Sequence, residues 1–600
     1  MSQAIAAQKA NNFGRMKDLF KFARKYYAPM VLSIVLLIGS AVLSILTPRY
    51  VQTLTDLISP AALEPTVGPD GMVHVNMDAF TKTAITLLFF IVISFLLSMV
   101  SGMVFNVAVQ KLSRDIRTSI SEKTNRMPLN YFDTKQIGDI LSVITNDVDA
   151  LSTSLQNSIT LAVQAVVTLV GVIIAMFISE WHMALVVLIS LPIILISIFV
   201  IFHFATPLFG KNQTLLGEVN AEVEESFTGQ IVIKAFGAEK RKNAQFEKRN
   251  GALGKTLFSS QALGGIIEPV MSVLSYLTYA AVMIVGGILF TQGQIQLGLI
   301  TGFLVYVSLF QQPLSEIGQI GSTVQLGIAA AGRVFDFLAE EELPDESEKP
   351  SNLLDHDHIR GEVEFRNVAF GYDPSKLTIK NFNQKIKPGM KVAIIGPTGA
   401  GKTTLVNLLM RFYETTKGDI LVDGVSIHDM KREELRSVFG MILQETWVIN
   451  GSLRENIVYN LKDVSEDRLN EILKETSLDH FVSTLPNGID TVIQKDSALS
   501  AGQKQLVTIA RAMAENSPML ILDEATSNVD TRTEILIQSA MDSLTKGRTS
   551  FVIAHRLSTI KNADLIIVMK AGDVVETGTH DSLMALGGLY SEIYNSQFNN

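Results

Sequence analysis

The chain has 600 residues, of which 47% are hydrophobic and only 18% charged, where ordinary soluble chains carry about 25% charge; this excludes disorder and disfavours a wholly soluble globular protein. Lys plus Arg number 50 against 59 Asp plus Glu, a net charge of −9, which argues against nucleic acid as the main partner. With no cysteine, disulfides, thiolate metal sites, Fe–S clusters and cysteine nucleophiles are excluded.

The first 28 residues include FGRMKDLFKFARKYY, which mixes apolar and basic residues at helical spacing. This predicts an amphipathic lead-in lying along an inner membrane surface, with a plain solvated segment as the alternative. No small-residue cleavage pattern follows the first apolar run, so no cleavable signal peptide is expected.

Five uncharged or nearly uncharged blocks come next. Residues 31–48, 83–110 and 150–179 carry no charge, and 183–210 contain only His203 as an ionisable group. Residues 269–315 form 47 uncharged positions, broken at Gln292-Gly293-Gln294. A membrane helix needs about 20 mainly apolar residues, so the last block is two spans and the total is six, over 29–325. A large buried helical core is the alternative, but soluble helices rarely run this long without charge.

Basic residues set the topology. Lys9, Arg15, Lys17, Lys21, Arg24 and Lys25 precede the first span. Lys111, Arg114, Arg117, Lys123, Arg126 and Lys135 separate spans two and three, and a third basic group, from Lys211 to Lys255, separates four and five. Residues 58–79 lack Lys and Arg but hold Glu64, Asp70 and Asp78. Both ends of the chain are therefore expected in the cytoplasm.

Residues 340–350 (EEELPDESEKP) are acidic and proline-bearing, so 326–358 reads as a linker. Beyond it, over 359–600, short β runs alternate with helical stretches. The β runs are KVAII (391–395), MLILD (519–523), TSFVI (549–553) and LIIVM (565–569). Helices are expected over 468–484 and 502–515. This is α/β order with a largely parallel sheet.

Gly396-Pro397-Thr398-Gly399-Ala400-Gly401-Lys402-Thr403 matches G-x-x-x-x-G-K-[ST], between the strand KVAII and the helix TTLVNLLMRF. Glycines there let backbone N–H groups wrap phosphates, and the helix N-terminus adds positive potential. Lys402 can reach the β and γ phosphates, and the Thr403 hydroxyl suits Mg²⁺. Asp523 ends the strand MLILD and can also hold hydrated Mg²⁺. Glu524 follows, placed to polarise a water for in-line attack. His555 ends another β run, where a γ-phosphate contact competes with a purely structural role. Gln444 follows VFGMIL and can reach Mg²⁺ or the attacking water. Tyr372 precedes the loop and can stack on a base. Thr398, Gly399, Ala400 and Thr404 complete the expected nucleotide-binding set.

Together these residues resemble the ATP-binding cassette transporters, specifically half-size exporters with a fused membrane domain. The decisive addition is LSAGQKQLVTIARA (499–512), which is similar to that family's signature. The family order runs throughout: aromatic Tyr372, Walker A at 396–403, Q-loop Gln444, signature at 499–503, Walker B at 519–523, catalytic Glu524, D-loop at Ser527–Asp530 and switch His555. The resemblance implies that Ser500, Gly502 and Gln503 contact ATP held by a partner chain. It implies coupling helices near Phe132–Gly138 and Ile231–Gly237. It also implies ATP and Mg²⁺ as cofactors, with Thr403, Gln444 and Asp523 as metal ligands, and a second half-transporter as partner. The predicted fold is a six-helix membrane domain with long cytoplasmic extensions, fused to a soluble α/β nucleotide-binding domain. Glu222, Glu224 and Glu225 read as a solvated helical face.

Ala501 departs from the usual LSGGQ, where Gly permits close backbone approach. The stretch 493–498 (IQKDSA) departs too, and the D-loop reads SNVD. Glu524 and His555 remain intact. That combination resembles the subunit with the complete Walker B glutamate in heterodimeric bacterial multidrug exporters; a homodimer that tolerates Ala501 is the alternative. With no Lys, Arg or acidic cluster near the span centres, the expected cargo is an apolar or amphipathic small molecule entering from the bilayer. Phe303, Tyr306 and Phe310 recur at helical spacing, and packing is preferred over cavity lining for them. An ATP-gated regulatory or channel-like protein is the rival function. A bacterial inner membrane is the expected location.

Overall fold

A computed structural model describes residues 14–59, 76–351, 353–354, 359–373, 375–444, 446–461, 464–493, 499–523, 530–554 and 557–598. The chain forms two units, one taking it to Asn125 together with Lys135–Glu340, the other taking Arg126–Thr134 together with the chain from Glu341.

The first unit is built on six long helices: α1 (Gly14–Leu57), α2 (Met77–Arg126), α3 (Ile137–Ser179), α4 (Trp181–Thr228), α5 (Glu239–Thr291) and α6 (Leu297–Ala339). Each holds one of the predicted apolar runs. They are 43 to 53 residues long, or roughly 65–80 Å at 1.5 Å per residue. A hydrocarbon core about 30 Å thick covers less than half of that, so the charged remainder extends beyond it as helix. Residues 326–339, expected within the linker, continue α6.

Small polar residues hold the helices close. Ser33 and Ser101 each donate a hydroxyl to the other's carbonyl, at 2.9 and 2.8 Å, and Ser40 and Ser94 repeat the arrangement at 2.8 and 2.9 Å. Such pairs let α1 and α2 approach while leaving no hydroxyl unpaired in an apolar setting. In α3 the regular winding loosens into π-type turns at Val143–Asp147 and Leu155–Ile159. Asp147, at the first of these, takes both nitrogens of a fork from Arg333 on α6, the Nε–Oδ2 distance being 2.7 Å. Phe303, Tyr306 and Phe310 are buried with Val172, Met176, Val187 and Val282, so they are packing residues. The lead-in helix 14–23 buries Leu19 and Ala23. Phe22 sets its ring edge-on to Phe335, and Arg15 pairs with Asp336 at 2.7 Å, so its inner face rests on the end of α6.

The second unit has two main sheets. One is antiparallel, in the order β2-β1-β4-β5, from β1 (Val363–Phe370), β2 (Ile379–Ile386), β4 (Lys417–Val422) and β5 (Val425–Ser426). The other runs β12-β11-β3-β10-β9-β6, from β3 (Lys391–Ile395), β6 (Phe439–Ile442), β9 (Met519–Asp523), β10 (Thr549–Ile553), β11 (Leu565–Lys570) and β12 (Asp573–Gly578). All its pairings are parallel except β11 with β12. Strand alternation sorts the core. Val392 and Ile394 face Phe365, Phe382 and Leu405 on one side. Ala393 and Ile395 face Leu506, Ile509 and Leu544 on the other. The helix expected over 468–484 is two helices, Glu466–Glu475 and Asp479–Thr484. Ser477 takes a left-handed φ of 54°, and the Leu478 N–H closes on the Leu473 carbonyl at 2.8 Å, a helix-ending arrangement.

Candidate functional site

Parallel order gathers the site. β6, β9, β10 and β3 are neighbours pointing the same way, so the residues after their C-terminal ends share one edge. In open α/β sheets that edge is where ligands bind. β3 delivers the loop 396–401, β9 delivers Asp523, and Gln444 lies exposed just beyond β6. Glu524 and His555 lie outside the described residues. Asp523 and Ala554, immediately before them, end β9 and follow β10 on that edge.

From Ile395 the chain turns into helix α7 (Lys402–Leu409), with Gly401 at its N-cap position. Gly396 cannot carry a side chain: a Cβ there would stand 2.2 Å from the Met569 carbonyl oxygen. Gly399 has a left-handed φ of 80° in open space. Thr398 and Thr403 are exposed, whereas Ala400 is buried and its N–H donates to the Pro397 carbonyl at 3.1 Å. The Lys402 ammonium curls back over the loop and donates to the carbonyls of Gly396 and Pro397 at 2.8 and 3.1 Å. Burial pushes its pKa down, and the Asp523 carboxylate opposes that shift. A cation is thus held over the loop that leads into the N-terminus of α7, and a cation beside a helix N-terminus suits polyphosphate.

Tyr372 is 46% exposed. Its ring stands edge-on to Phe370 and to Tyr413, with centroids 5.0 and 5.1 Å away. Its hydroxyl pairs with Thr404 Oγ1 at 3.2 Å. Thr404 is buried, and its hydroxyl supports the Tyr372 ring. Tyr413 had no motif to announce it; an aromatic a few residues past the helix that follows a phosphate loop is the only signal the sequence offers.

The predicted signature opens helix α8 (Ala501–Glu515). Ser500 caps it: the Gln503 N–H donates to Ser500 Oγ at 3.2 Å and the Ser500 N–H to Gln503 Oε1 at 2.9 Å. This capping box sets Ala501 outward and buries Gly502. Asp530, at the end of the D-loop, caps helix α9 (Thr531–Thr545) by accepting from the Thr533 N–H at 3.0 Å. Those hydrogen bonds hold its carboxyl below the usual range.

The expected coupling segment Phe132–Gly138 covers the end of a short helix, Leu129–Thr134, a break at Lys135–Gln136 and the start of α3, whereas Ile231–Gly237 falls mostly on a short helix, Gln230–Ala235. On the first, Asp133 accepts the Tyr413 hydroxyl. Beside the second, Glu222 corrects the sequence reading. It is only 2% exposed, held by Lys242 and Arg249 at 3.1 Å each. Glu225 does stand in solvent, paired with Lys242 at 2.7 Å.

Residues 30–314 match the family model for the ABC transporter transmembrane region, and residues 379–527 match that for the ABC transporter. A fatty acid ABC transporter ATP-binding/permease protein of Mycobacterium bovis is 41% identical over 543 residues, covering 90% of this chain and 84% of that one. The chain belongs to the ABC transporters. An ATP-dependent lipid A-core flippase of Syntrophus aciditrophicus is 34% identical over 490 residues, 82% of the transporter and 81% of the relative. The structure of a bacterial Atm1-family ABC exporter with ATP bound superposes with a TM-score of 0.73 at 27% identity, covering 96% of the transporter and 98% of that chain. The transporter is a permease fused to its ATPase, with an exporter fold. The residues that match the ABC transporter model lie in the second unit, and the apolar runs of the six long helices lie in the first.

Proposed function

We propose that this ABC transporter is one half of an ATP-driven exporter of amphipathic small molecules, working with a different half-transporter in a bacterial inner membrane, its termini in the cytoplasm. The relatives named for fatty acid and for lipid A-core support an amphipathic cargo, and the six apolar helices support entry from the bilayer.

The observation that carries the pairing is Ala501. Ser500 and Gln503 close the capping box around it and Ala501 faces outward. A helix N-terminus so arranged offers its N–H groups to a phosphate. Family geometry makes that phosphate the one bound by the other chain. The Ala501 methyl stands where glycine is usual and weakens that contact. Glu524 and His555 remain available to hydrolyse ATP in this chain's own Walker A site, completed by the partner's signature.

Mg²⁺ fits the residues present. A hydroxyl from Thr403, a carboxylate from Asp523 and an amide oxygen from Gln444 are hard oxygen donors, brought to one edge by strand order. The ion would supply charge neutralisation at the β and γ phosphates. Lys402 holds the phosphate chain, Tyr372 offers its ring to the base, and Glu524 takes a proton from the attacking water.

The test is Mg-ATP hydrolysis by this chain purified alone in lipid, with Glu524→Gln as control. Folded protein that binds ATP without turnover, and gains turnover with a partner, is the expected result. Robust turnover abolished by Glu524→Gln would establish a homodimer instead.

A further inference from the structure

We propose that Glu268 on α5 and Glu316 on α6 select a positively charged headgroup, so that the preferred cargo is an amphiphilic cation. This rests on the export reading above and narrows its cargo.

Both carboxylates line a cavity of 1430 Å³ among α4, α5 and α6. One wall is apolar, with Ile198, Phe202, Phe209 and Met271. Glu268 is exposed and Glu316 half-buried; carboxylates that face a cavity between membrane helices mark cargo or ion paths by default. Among the described lining residues there is no Lys, Arg or His to neutralise them. Glu268 and Glu316 flank the uncharged stretch 269–315, and only packing brings them to one cavity.

A second observation points to a ligand independently. Gln311 lines the same cavity, is only 8% exposed, and its Nε2 has no hydrogen-bond partner. A buried amide left unpaired is unfavourable. A half-turn about its last bond presents Oε1 to an ammonium, and the amide as it stands donates to a cargo carbonyl or hydroxyl. Glu316 and Gln312 also line an adjoining cavity of 370 Å³ bordered by Ser40, Ser94, Ser98 and Thr168. Hydroxyl groups there can solvate a charged head while the apolar body lies against Phe202 and Phe209. A fatty-acid carboxylate in the same place meets two like charges.

The test uses two ions of matched size and opposite charge, tetraphenylphosphonium and tetraphenylborate. Their binding to the full chain, in the assembly in which it purifies, is measured without nucleotide in phosphatidylcholine nanodiscs against empty discs. The expected result is at least tenfold tighter binding of the phosphonium. Glu268→Gln and Glu316→Gln should each weaken it by about tenfold while leaving the borate unchanged, and Glu316→Asp should keep the preference. ATP affinity and the thermal midpoint confirm that each variant is folded. Equal binding of the two ions, binding of neither, or a preference that survives in the double Gln variant overturns the proposal. Failure of the export reading is separate: it would show as intact phosphonium binding with no ATP-driven movement of the ion across vesicles.

Discussion

The Tyr413 hydroxyl donates to Asp133, while the Tyr413 ring stands edge-on to Tyr372 at 5.1 Å. One side chain therefore touches both the Tyr372 ring, proposed above to stack on the nucleotide base, and the short helix Leu129–Thr134. Burial raises the Tyr413 pKa, and the hydrogen bond to Asp133 raises it further, so the phenol stays a donor throughout the working pH range. Tyr413→Phe keeps the ring and removes the bond. It should leave ATP affinity within about twofold while lowering cargo-stimulated hydrolysis. A double cycle with Asp133→Asn should give a coupling of about 1 kcal/mol, as for an ordinary hydrogen bond. ATP affinity falling with the hydroxyl alone would contradict this division of roles.

The phosphate loop separates two causes of glycine dependence. Alanine at Gly396 drives a Cβ to 2.2 Å from the Met569 carbonyl oxygen, on the neighbouring strand β11. Backbone on both sides cannot yield, so a cost of about 3 kcal/mol is expected. Alanine at Gly399 meets open space at φ 80°, and only the left-handed conformation costs, about 1–2 kcal/mol. Thermal unfolding should rank Gly396→Ala well below Gly399→Ala; equal midpoints would refute the steric account.

Glu222 is the buried centre of a three-residue charge cluster with Lys242 and Arg249. Removing it leaves Lys242, itself mostly buried, facing only the exposed Glu225. Glu222→Ala should destabilise the helix pair by about 2–3 kcal/mol, a little under the range for fully buried pairs because Arg249 is solvated. Glu224→Ala should change stability by less than about 0.5 kcal/mol. Limited proteolysis between α4 and α5 reads the difference.

Acid should loosen the second unit through Glu414. Burial raises its pKa, but hydrogen bonds from His428 and Arg411 and the charges of Arg411 and Arg432 outweigh that and hold it at about 2. A depressed folded pKa contributes stability above the ordinary glutamate value, near 4.3, and loses it as pH falls toward 2. The carboxylate is 44% exposed, so water screens part of the effect. The thermal midpoint should fall between about pH 4.5 and 2, and Glu414→Gln should lower it at neutral pH while flattening that fall.

The legible parts were local ones. KVAII, MLILD and TSFVI appear as β3, β9 and β10 at the boundaries read from their apolar runs. Each is a central strand buried on both faces and bounded by polar turns. The antiparallel sheet of β1, β2, β4 and β5 was not foreseen, because its strands show neither a continuous apolar run nor a clean alternation, as in KGDILV and IKNFNQKI. Ser500 and Gln503 were expected at a partner's ATP; their immediate role as a helix cap was hidden by the family motif.

By itself the sequence determined the six apolar crossings, the phosphate loop with Lys402, and the side of the sheet on which Asp523 and Gln444 must emerge. Each depends on residues adjacent in the chain, where hydrophobic period and turn chemistry act directly. Only the tertiary structure decided which charges are buried. Glu222 needed Lys242 and Arg249 from the next helix and Asp147 needed Arg333 from α6, while Glu268 and Glu316, neither of them buried, were brought to one cavity. The cost of burying a charge depends on what packs against it, and those neighbours are distant in sequence.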